Sequence, residues 1–463
     1  VGARPRVVRT GVDLVRARRA GPAGVARRRA VRLDALVGHA RARSGFYERL
    51  YRGLGGDPVE LAALPPVSKP DLMASFDEWV SDPAVTRAGV EAFTADPARL
   101  GSLFLGGYFA CRSSGTTGQP GLFLHDQAAC AVYEAMSLRI DLQWLSPGQW
   151  WALLRGRVRW AAVVGAGGHF AGAGWMELQR RRDPVRRRAY RVFPLEQPLR
   201  ELVAALNAFQ PVILSGYPSA LDILAAEQRA GRLRVHPVVV ELAGESIDDV
   251  GREHIATSLG GALHDAYSAS ECLVMAVDCD HGWLHVNADW VVLEPVQADH
   301  TPTPPGIASH TVLLTNLANH VQPLIRYDLG DSVLARAGPC PCGSPFPAIR
   351  VQGRRDDVLH LTTADGRTVT LPPLAVGSVL DQPPGVLRSQ LVQTGDRSLL
   401  LGLDLLPETA EDAVWQEATA RLTAYLSAQG ATDISVTKAC EAPQRSATSG
   451  KFRQVIARPP SPT

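Results

Sequence analysis

From about Ala110 onward, short apolar runs end in small polar turns that lead into helical patterns. Pro211-Val212-Ile213-Leu214 passes into Ser215-Gly216-Tyr217-Pro218-Ser219 and then into an apolar helical pattern through Ala226. Pro237-Val238-Val239-Val240-Glu241-Leu242 repeats the plan before Ala243-Gly244-Glu245-Ser246. Strand-like runs alternating with helical ones predict an α/β architecture of layered sheets and helices. The first hundred residues read differently. There an Arg-rich helical pattern is broken by Pro and Asp turns, as at Leu64-Pro65-Pro66-Val67-Ser68-Lys69-Pro70-Asp71, where paired prolines interrupt any helix. After Asp357 the pattern restarts as a compact unit, with a strand over Leu399 to Leu405, a helix from about Glu408 to Gln429 and a strand over Ile434 to Thr437. The boundary is expected between Gln352 and Asp357, giving a large unit 1–352 and a small α+β unit 353–463. No internal repeat or long low-complexity segment interrupts this plan.

A chain of 463 residues exceeds the size at which one hydrophobic core stops growing, so two unequal units fit its length as well as its pattern. With 46% hydrophobic and 20% charged residues it has the composition of a globular protein. A formal charge of +2 provides no field to gather a polyanion, so nucleic acid is not an expected partner. Arg180 to Arg182 and Arg186 to Arg188 form the one strong basic cluster, readable as a solvated face or as a contact for a phosphate-bearing ligand such as coenzyme A. The Arg-rich N-terminal region has no uninterrupted apolar stretch, so neither a secretory signal nor a membrane-spanning helix is expected, and the expected address is cytoplasmic. Seven scattered cysteines suit free thiols or a metal site better than a disulfide framework.

Several short segments carry chemistry. Ser113-Ser114-Gly115-Thr116-Thr117-Gly118-Gln119-Pro120 joins hydroxyls to glycines that free backbone N–H groups, a nest able to hold nucleotide phosphates. Taken alone it reads equally as a polar turn, and it lacks the lysine of a GxxxxGK[ST] loop. Tyr267-Ser268-Ala269-Ser270-Glu271 closes a strand-like approach from Ala262 with a ring that can stack on a purine and a carboxylate that can reach magnesium. Arg326-Tyr327-Asp328-Leu329-Gly330-Asp331 offers a carboxylate after a glycine turn, suited to ribose hydroxyls. Gly353-Arg354-Arg355-Asp356-Asp357 lies at the expected boundary, and Ser449-Gly450-Lys451-Phe452-Arg453 near the end.

In this order, the five motifs resemble the core motifs of the adenylate-forming superfamily, which includes acyl- and aryl-CoA synthetases, adenylation domains and luciferases. His39-Ala40-Arg41-Ala42-Arg43-Ser44-Gly45-Phe46-Tyr47 and the Cys-Pro-Cys-Gly segment point to its phenylacetate-CoA ligase-like branch. The resemblance implies a large N-terminal adenylate-forming domain with a small mobile C-terminal domain, and activation of a carboxylic acid by ATP and magnesium before transfer to coenzyme A. It further implies that Ser113, Ser114, Gly115, Thr116, Thr117 and Gly118 hold the phosphates, that Gly244 and Glu245 lie beside the adenine, and that Tyr267 stacks on it. By the same resemblance, Glu271 sits at the magnesium, Asp331 and Arg354 fix the ribose, Asp356 is the hinge and Lys451 is the catalytic lysine. An ammonium at that place would stabilise the charge gathering around the α-phosphorus during in-line attack. Tyr217, Ala243 and the glycine-rich run Gly165 to Gly174, with His169 and Phe170, are the candidate lining of the acid pocket.

Two departures from the family pattern stand out. Gln119 replaces a frequent lysine, and Leu361-Thr362-Thr363-Ala364-Asp365-Gly366 lacks the usual glycine-rich wall of the coenzyme A tunnel. An amine or a carrier-protein thiol therefore remains an alternative acceptor. A non-catalytic nucleotide-binding or zinc-stabilised protein is the rival of another class, opposed by the presence of both Glu271 and Lys451. Finally, Cys279, His285, Cys340 and Cys342 make up a Cys3His set of the kind that closes around structural zinc, with His281 as the reserve ligand. Related residues bind zinc in some phenylacetate-CoA ligase-like proteins; without metal, the set is one of reduced thiols.

Overall fold

The computed structural model describes residues 3–54, 60–113, 121–165, 168–195, 197–245, 247, 249–354, 357–371, 373–380, 383–407, 409–445 and 452–457. Its centre is a nine-stranded mixed sheet. In spatial order the strands are Asp331–Ala335, Ala348–Arg354, Trp283–Val286, Cys272–Cys279, Ala262–Ala269, Val239–Ala243, Ile213–Gly216, Trp160–Val164 and Tyr190–Pro194. The last five run parallel, joined by helical crossovers, whereas the first four pair antiparallel. The chain leaves strand Trp160–Val164 for the sheet edge at Tyr190–Pro194 and returns on the other side at Ile213–Gly216. This reversal opens a crevice beyond the carboxyl ends of the strands, where open α/β sheets bind ligands.

The local rules of the sequence explain these elements. The strand expected from Pro211 begins at Ile213, because Pro211 has no N–H to give the ladder and the amides of Val212 and Ile213 instead turn onto the carbonyl of Arg159. Gly216 ends that strand where a Cβ would stand 2.7 Å from the carbonyl oxygen of Val163, so the two backbones approach only because the side chain is missing. The glycine-rich run from Gly165 enters the helix Ala171–Arg182, and Gly174 inside it makes room for the ring of Phe109.

Smaller sheets surround the large one. Phe109–Arg112 and Leu122–His125 form an antiparallel pair, and Val291–Val296, Thr311–Asn316 and Tyr327–Asp328 a three-stranded sheet. Toward the C-terminus, the strands Ser435–Lys438, Ser398–Leu405, Val386–Gly395 and Val455–Ile456 make a four-stranded sheet. The expected elements appear there as Ser398–Leu405, the helix Glu411–Ala428 and Ser435–Lys438; Val386–Gly395 was not anticipated. Leu359, Leu371, Leu391, Leu401, Leu422 and Val455 share a core cluster distinct from the two that fill the rest of the molecule. The fold is therefore mixed α/β with an α+β C-terminal region. No helix among the described residues is long and apolar enough to cross a membrane.

The Arg-rich N-terminal helices Ala3–Arg19 and Gly21–Arg43 are tied in by charge. Asp289 is fully buried and accepts both arms of the Arg139 guanidinium, at 3.0 and 2.8 Å, while the Asn287 side chain accepts from the same arginine at 2.8 Å. Arg32 lies over the Trp290 ring at 3.5 Å, donates to the Asp289 carbonyl and pairs with Asp13 of the first helix. Removing one partner of such a buried pair leaves an uncompensated charge. Arg139→Met is accordingly expected to cost about 3–5 kcal/mol of stability, read from urea unfolding.

Candidate functional site

Turns beyond the carboxyl ends of the parallel strands gather most of the residues singled out from the sequence. Ala243 ends one strand and pairs with Ala266 of the next, so Gly244 and Glu245 emerge beside the strand carrying Tyr267. That strand turns at Ser270 and Glu271 into the antiparallel half of the sheet.

Glu271 is buried at 9% exposure. Burial pushes its pKa up; the Tyr327 hydroxyl, donating to Oε1 at 3.0 Å, opposes that shift. The Tyr327 phenol is itself held neutral by burial and by the neighbouring carboxylate. The charges of Arg354 and Lys69 also favour the anion, and a carboxylate in such a place is chemically suited to a divalent cation.

The turn beneath Glu271 is fixed from behind by a chain of hydrogen bonds. Asn316 donates from Nδ2 to the Glu271 carbonyl at 3.0 Å and to the Tyr133 hydroxyl at 2.8 Å. Tyr133 lies 3.1 Å from Nδ1 of His125, whose Nε2 lies 2.9 Å from the Ser270 carbonyl. A carbonyl only accepts, so Nε2 carries the proton and Nδ1 accepts from Tyr133. The Ser270 hydroxyl donates to the Arg112 carbonyl at 3.4 Å, which brings the hairpin of Phe109–Arg112 and Leu122–His125 to the same turn. Ser113 closes that hairpin by accepting from the Gly121 amide at 2.7 Å; Ser114, Gly115, Thr116, Thr117, Gly118 and Gln119 lie outside the described residues.

Tyr267 donates to Asp331 at 2.6 Å, and Arg354 approaches the same carboxylate at 3.5 Å. Burial and the Asp331 charge keep the Tyr267 phenol protonated. Arg354 also donates to the Leu329 carbonyl, so the start of the boundary motif is anchored to the glycine turn of Arg326–Asp331. Arg326 is spent on structure, since it is buried and bonds Glu294 and the carbonyls of Ala62 and Leu64. Asp356 and Lys451 lie outside the described residues, but their motif neighbours meet: Arg453 pairs with Asp357, and the Phe452 amide donates to Glu245 Oε1 at 2.6 Å.

The four candidate pocket residues follow three neighbouring strand ends. Tyr217 is buried at the start of the helix Pro218–Arg229, and Ala243 is half-buried. His169 is buried against the Phe93 ring at 5.5 Å, its carbonyl accepting from the Arg112 amide, and Phe170 precedes the helix Ala171–Arg182. The basic cluster is balanced by acids, with Arg180 and Arg181 on Glu177, and Arg182 and Arg186 within 3.8 and 3.6 Å of Glu134, which favours the solvated-face reading. Leu359–Thr362 and Thr368–Leu371 form a tight hairpin where a glycine-rich tunnel wall was missed in the sequence.

Cys279, His285, Cys340 and Cys342 converge away from this edge, their ligand atoms all within 4.8 Å of one another. Cys279 ends its strand and His285 sits on the next, while Cys340 and Cys342 share a turn with a Gly343 N–H to Cys340 carbonyl bond. The sulfurs of Cys279 and Cys340 are 3.8 Å apart, the edge of a tetrahedron with metal–sulfur bonds of about 2.3 Å. His285 Nδ1 lies 3.0 Å from the Phe346 carbonyl and Nε2 3.1 Å from the Cys342 sulfur, so the first nitrogen donates and the second is left as a ligand. These residues fit a closed metal site. His281, exposed on the connecting turn, is not one of the four.

No protein-family model and no curated protein sequence matches the chain. Solved structures do match. The chain is similar to 2-hydroxyisobutyryl-CoA ligase in the postadenylation state with 2-HIB-AMP, with a TM-score of 0.67 and 20% identity over 93% of this chain and 89% of that one. The same enzyme with 2-HIB-AMP and CoA in its thioesterification state scores 0.56, at 20% identity over 93% and 88%. An anthranilate CoA ligase with anthranoyl-AMP scores 0.52, at 18% identity over 74% and 64%. The protein therefore has the adenylate-forming fold of the CoA ligases.

Sequence reading missed Asn316, Tyr133 and His125, which hold the Glu271 turn, and Ser219, which holds Glu245. Tyr327 stood inside a quoted motif without a role. Burial holds the pKa of His125 down to about 4, against 6.5 unperturbed. Below pH 6.5 the unfolded chain takes up a proton that the folded form refuses, so this stability is present above that pH and lost as pH falls toward 4. His125→Gln, which keeps a donor for Ser270 but does not titrate, is expected to flatten that acid loss by on the order of 3 kcal/mol in pH-dependent urea unfolding.

Proposed function

We propose that the protein activates a carboxylic acid with ATP to an acyl-adenylate and transfers the acyl group to coenzyme A. One observation carries this reading: the Ser270–Glu271 turn bonds both the hairpin that leads to Ser113 and Tyr327 of the Arg326–Asp331 motif, Arg354 pairs with Asp331 of that same motif, and Glu245 takes the Phe452 amide of the C-terminal motif. An acid–thiol ligase needs these groups together, since it must hold a nucleotide and bring a cation to its α-phosphate.

In this reading Ser113 to Gly118 hold the phosphates, Gly244 and Tyr267 flank the adenine, and Asp331 with Arg354 receives the ribose. Glu271 holds magnesium, which would offset phosphate charge. A substrate carboxylate oxygen attacks the α-phosphorus, the bond to the bridging oxygen breaks and pyrophosphate leaves; Lys451 stabilises the charge that gathers there. The thiol of coenzyme A, losing its proton, then attacks the acyl carbon and AMP departs. Residues 1–352 form the adenylation domain and 353–463 a mobile domain turning about Asp356. Tyr217, His169, Phe170 and Ala243 line the acid pocket, an aryl or related small acid being the preferred class. A cytoplasmic setting, where ATP and coenzyme A are at hand, belongs to the same reading.

Cys279, His285, Cys340 and Cys342 hold one zinc ion. With all four positions taken by protein, it braces the antiparallel half of the sheet and takes no part in the chemistry. Cys342→Ser is expected to lower zinc content and melting temperature together, measured by elemental analysis and a thermal scan; zinc-free protein with unchanged melting would leave four reduced thiols.

Pyrophosphate release across aryl, fatty and amino acids, with product analysis in the presence and absence of coenzyme A, tests the activity and separates coenzyme A from an amine or carrier thiol as acceptor. Lys451→Ala is expected to lower release at least about 100-fold while leaving the fold intact, the scale of losing a preorganised charge at a transition state. Undiminished release would remove Lys451 from the mechanism.

A further inference from the structure

We infer that Glu245 is a positioning residue, a clasp that holds the C-terminal chain at the sheet edge during adenylation and must let go before acyl transfer. The inference rests on the activity proposed above but assigns Glu245 a task other than lying beside the adenine.

Three donors converge on this one carboxylate. Oε2 accepts from the Ser219 amide at 3.1 Å and the Ser219 hydroxyl at 2.6 Å, while Oε1 accepts from the Phe452 amide at 2.6 Å. Ser219 lies in the first turn of the helix Pro218–Arg229, where amides lack intrahelical acceptors and negative charge is favoured. The Glu245 bond therefore spans 207 positions, from the crevice to the C-terminal motif. The Phe452 amide is the first described backbone group after Lys451 in the chain, so the grip falls directly beside that motif's lysine in sequence.

The far side of the clasp is built to stay together. Gln390 donates to the carbonyls of Gln444 and Arg453 at 2.9 Å each and accepts from the Gln444 amide at 3.0 Å. Arg445 and Phe452 pair as an isolated bridge, and Arg453 joins Asp357 beside the expected hinge. These bonds lie within residues 357–457 and travel with that region, whereas the Glu245 bond joins it to the crevice. A rotation of the C-terminal region breaks the Glu245 bond and leaves the others intact. The higher likeness to a ligase in its postadenylation state, 0.67 against 0.56 for the thioesterification state of the same enzyme, agrees with a closed clasp in this structure.

Glutamine offers one acceptor oxygen in place of two and turns an N–H2 toward one of the two backbone amides. Glu245→Gln therefore opens the clasp with little change in volume. Hydrogen exchange followed by mass spectrometry on the ligand-free protein is expected to show faster exchange over 452–457 in Glu245→Gln than in wild type, with the cores unchanged. Pyrophosphate release, measured with the most active acid of the aryl, fatty and amino acid panel, is expected to fall roughly tenfold, the factor of one charge-assisted hydrogen bond. Reaction of the corresponding preformed acyl-adenylate with coenzyme A is expected to change less than about twofold, because the clasp is already open in that step. Unchanged exchange, or equal loss in both half-reactions, overturns the clasp. A wild-type protein that releases no pyrophosphate with any acid overturns the activity instead, and the exchange comparison still decides whether Glu245 holds Phe452.

Discussion

The arrangement of the crevice depends on holding a carboxyl group, that of Glu271, out of water. Burial favours the protonated acid, and an arginine partner would favour the anion but occupy it. Here a neutral phenol, Tyr327, donates to one oxygen, and the charges of Arg354 and Lys69 favour the anion. Asn316, Tyr133 and His125 hold the Ser270 and Glu271 carbonyls in series, which fixes the backbone from which the acid projects. His125 serves because burial keeps it neutral, with one nitrogen to give and one to receive.

That turn joins two kinds of sheet. On one side five parallel strands, connected by helices, direct their carboxyl ends to the crevice; on the other, antiparallel strands run back through Cys279 and His285 to the cysteine turn. Phe346 connects the two ends of the antiparallel half. Its carbonyl orients His285, and its ring lies 4.6 Å from the Arg139 guanidinium that neutralises Asp289. The Cys3His cluster and the buried charge network thus meet at Phe346, and the N-terminal helices are drawn onto that network through Arg32. Rigidity on this side suits a site whose other wall is expected to move.

Much of the fold was legible in the chain because its signals are local. Apolar runs bounded by Gly, Pro and Ser located the strands Ile213–Gly216 and Val239–Ala243 to within about two residues, the usual uncertainty at element ends, whereas Trp160–Val164 and Tyr190–Pro194 were not singled out. Proline displaced the start of one strand, as its missing N–H requires. The motif residues of the candidate site were legible for a similar reason, since nucleotide chemistry calls for glycine, hydroxyl and carboxylate in short fixed strings. Val386–Gly395 escaped notice because its polar and apolar residues do not alternate cleanly, and its place in the sheet is settled by pairing with Ser398–Leu405.

By itself the sequence determined an α/β chain with an α+β C-terminal region, the order of its motifs and a candidate Cys3His set, all written in residues close together or in types scarce enough to notice. Tertiary structure alone decided which groups hold those residues in place. Tyr327 reaches Glu271 across 56 positions, His125 reaches Ser270 across 145, and Glu245 meets Phe452 across 207. Hydrogen bonds act over about 3 Å of space regardless of separation along the chain. A tyrosine, a histidine or a glutamate carries no mark in sequence of the partner it will meet, so their tasks become visible only where the strands have brought them together.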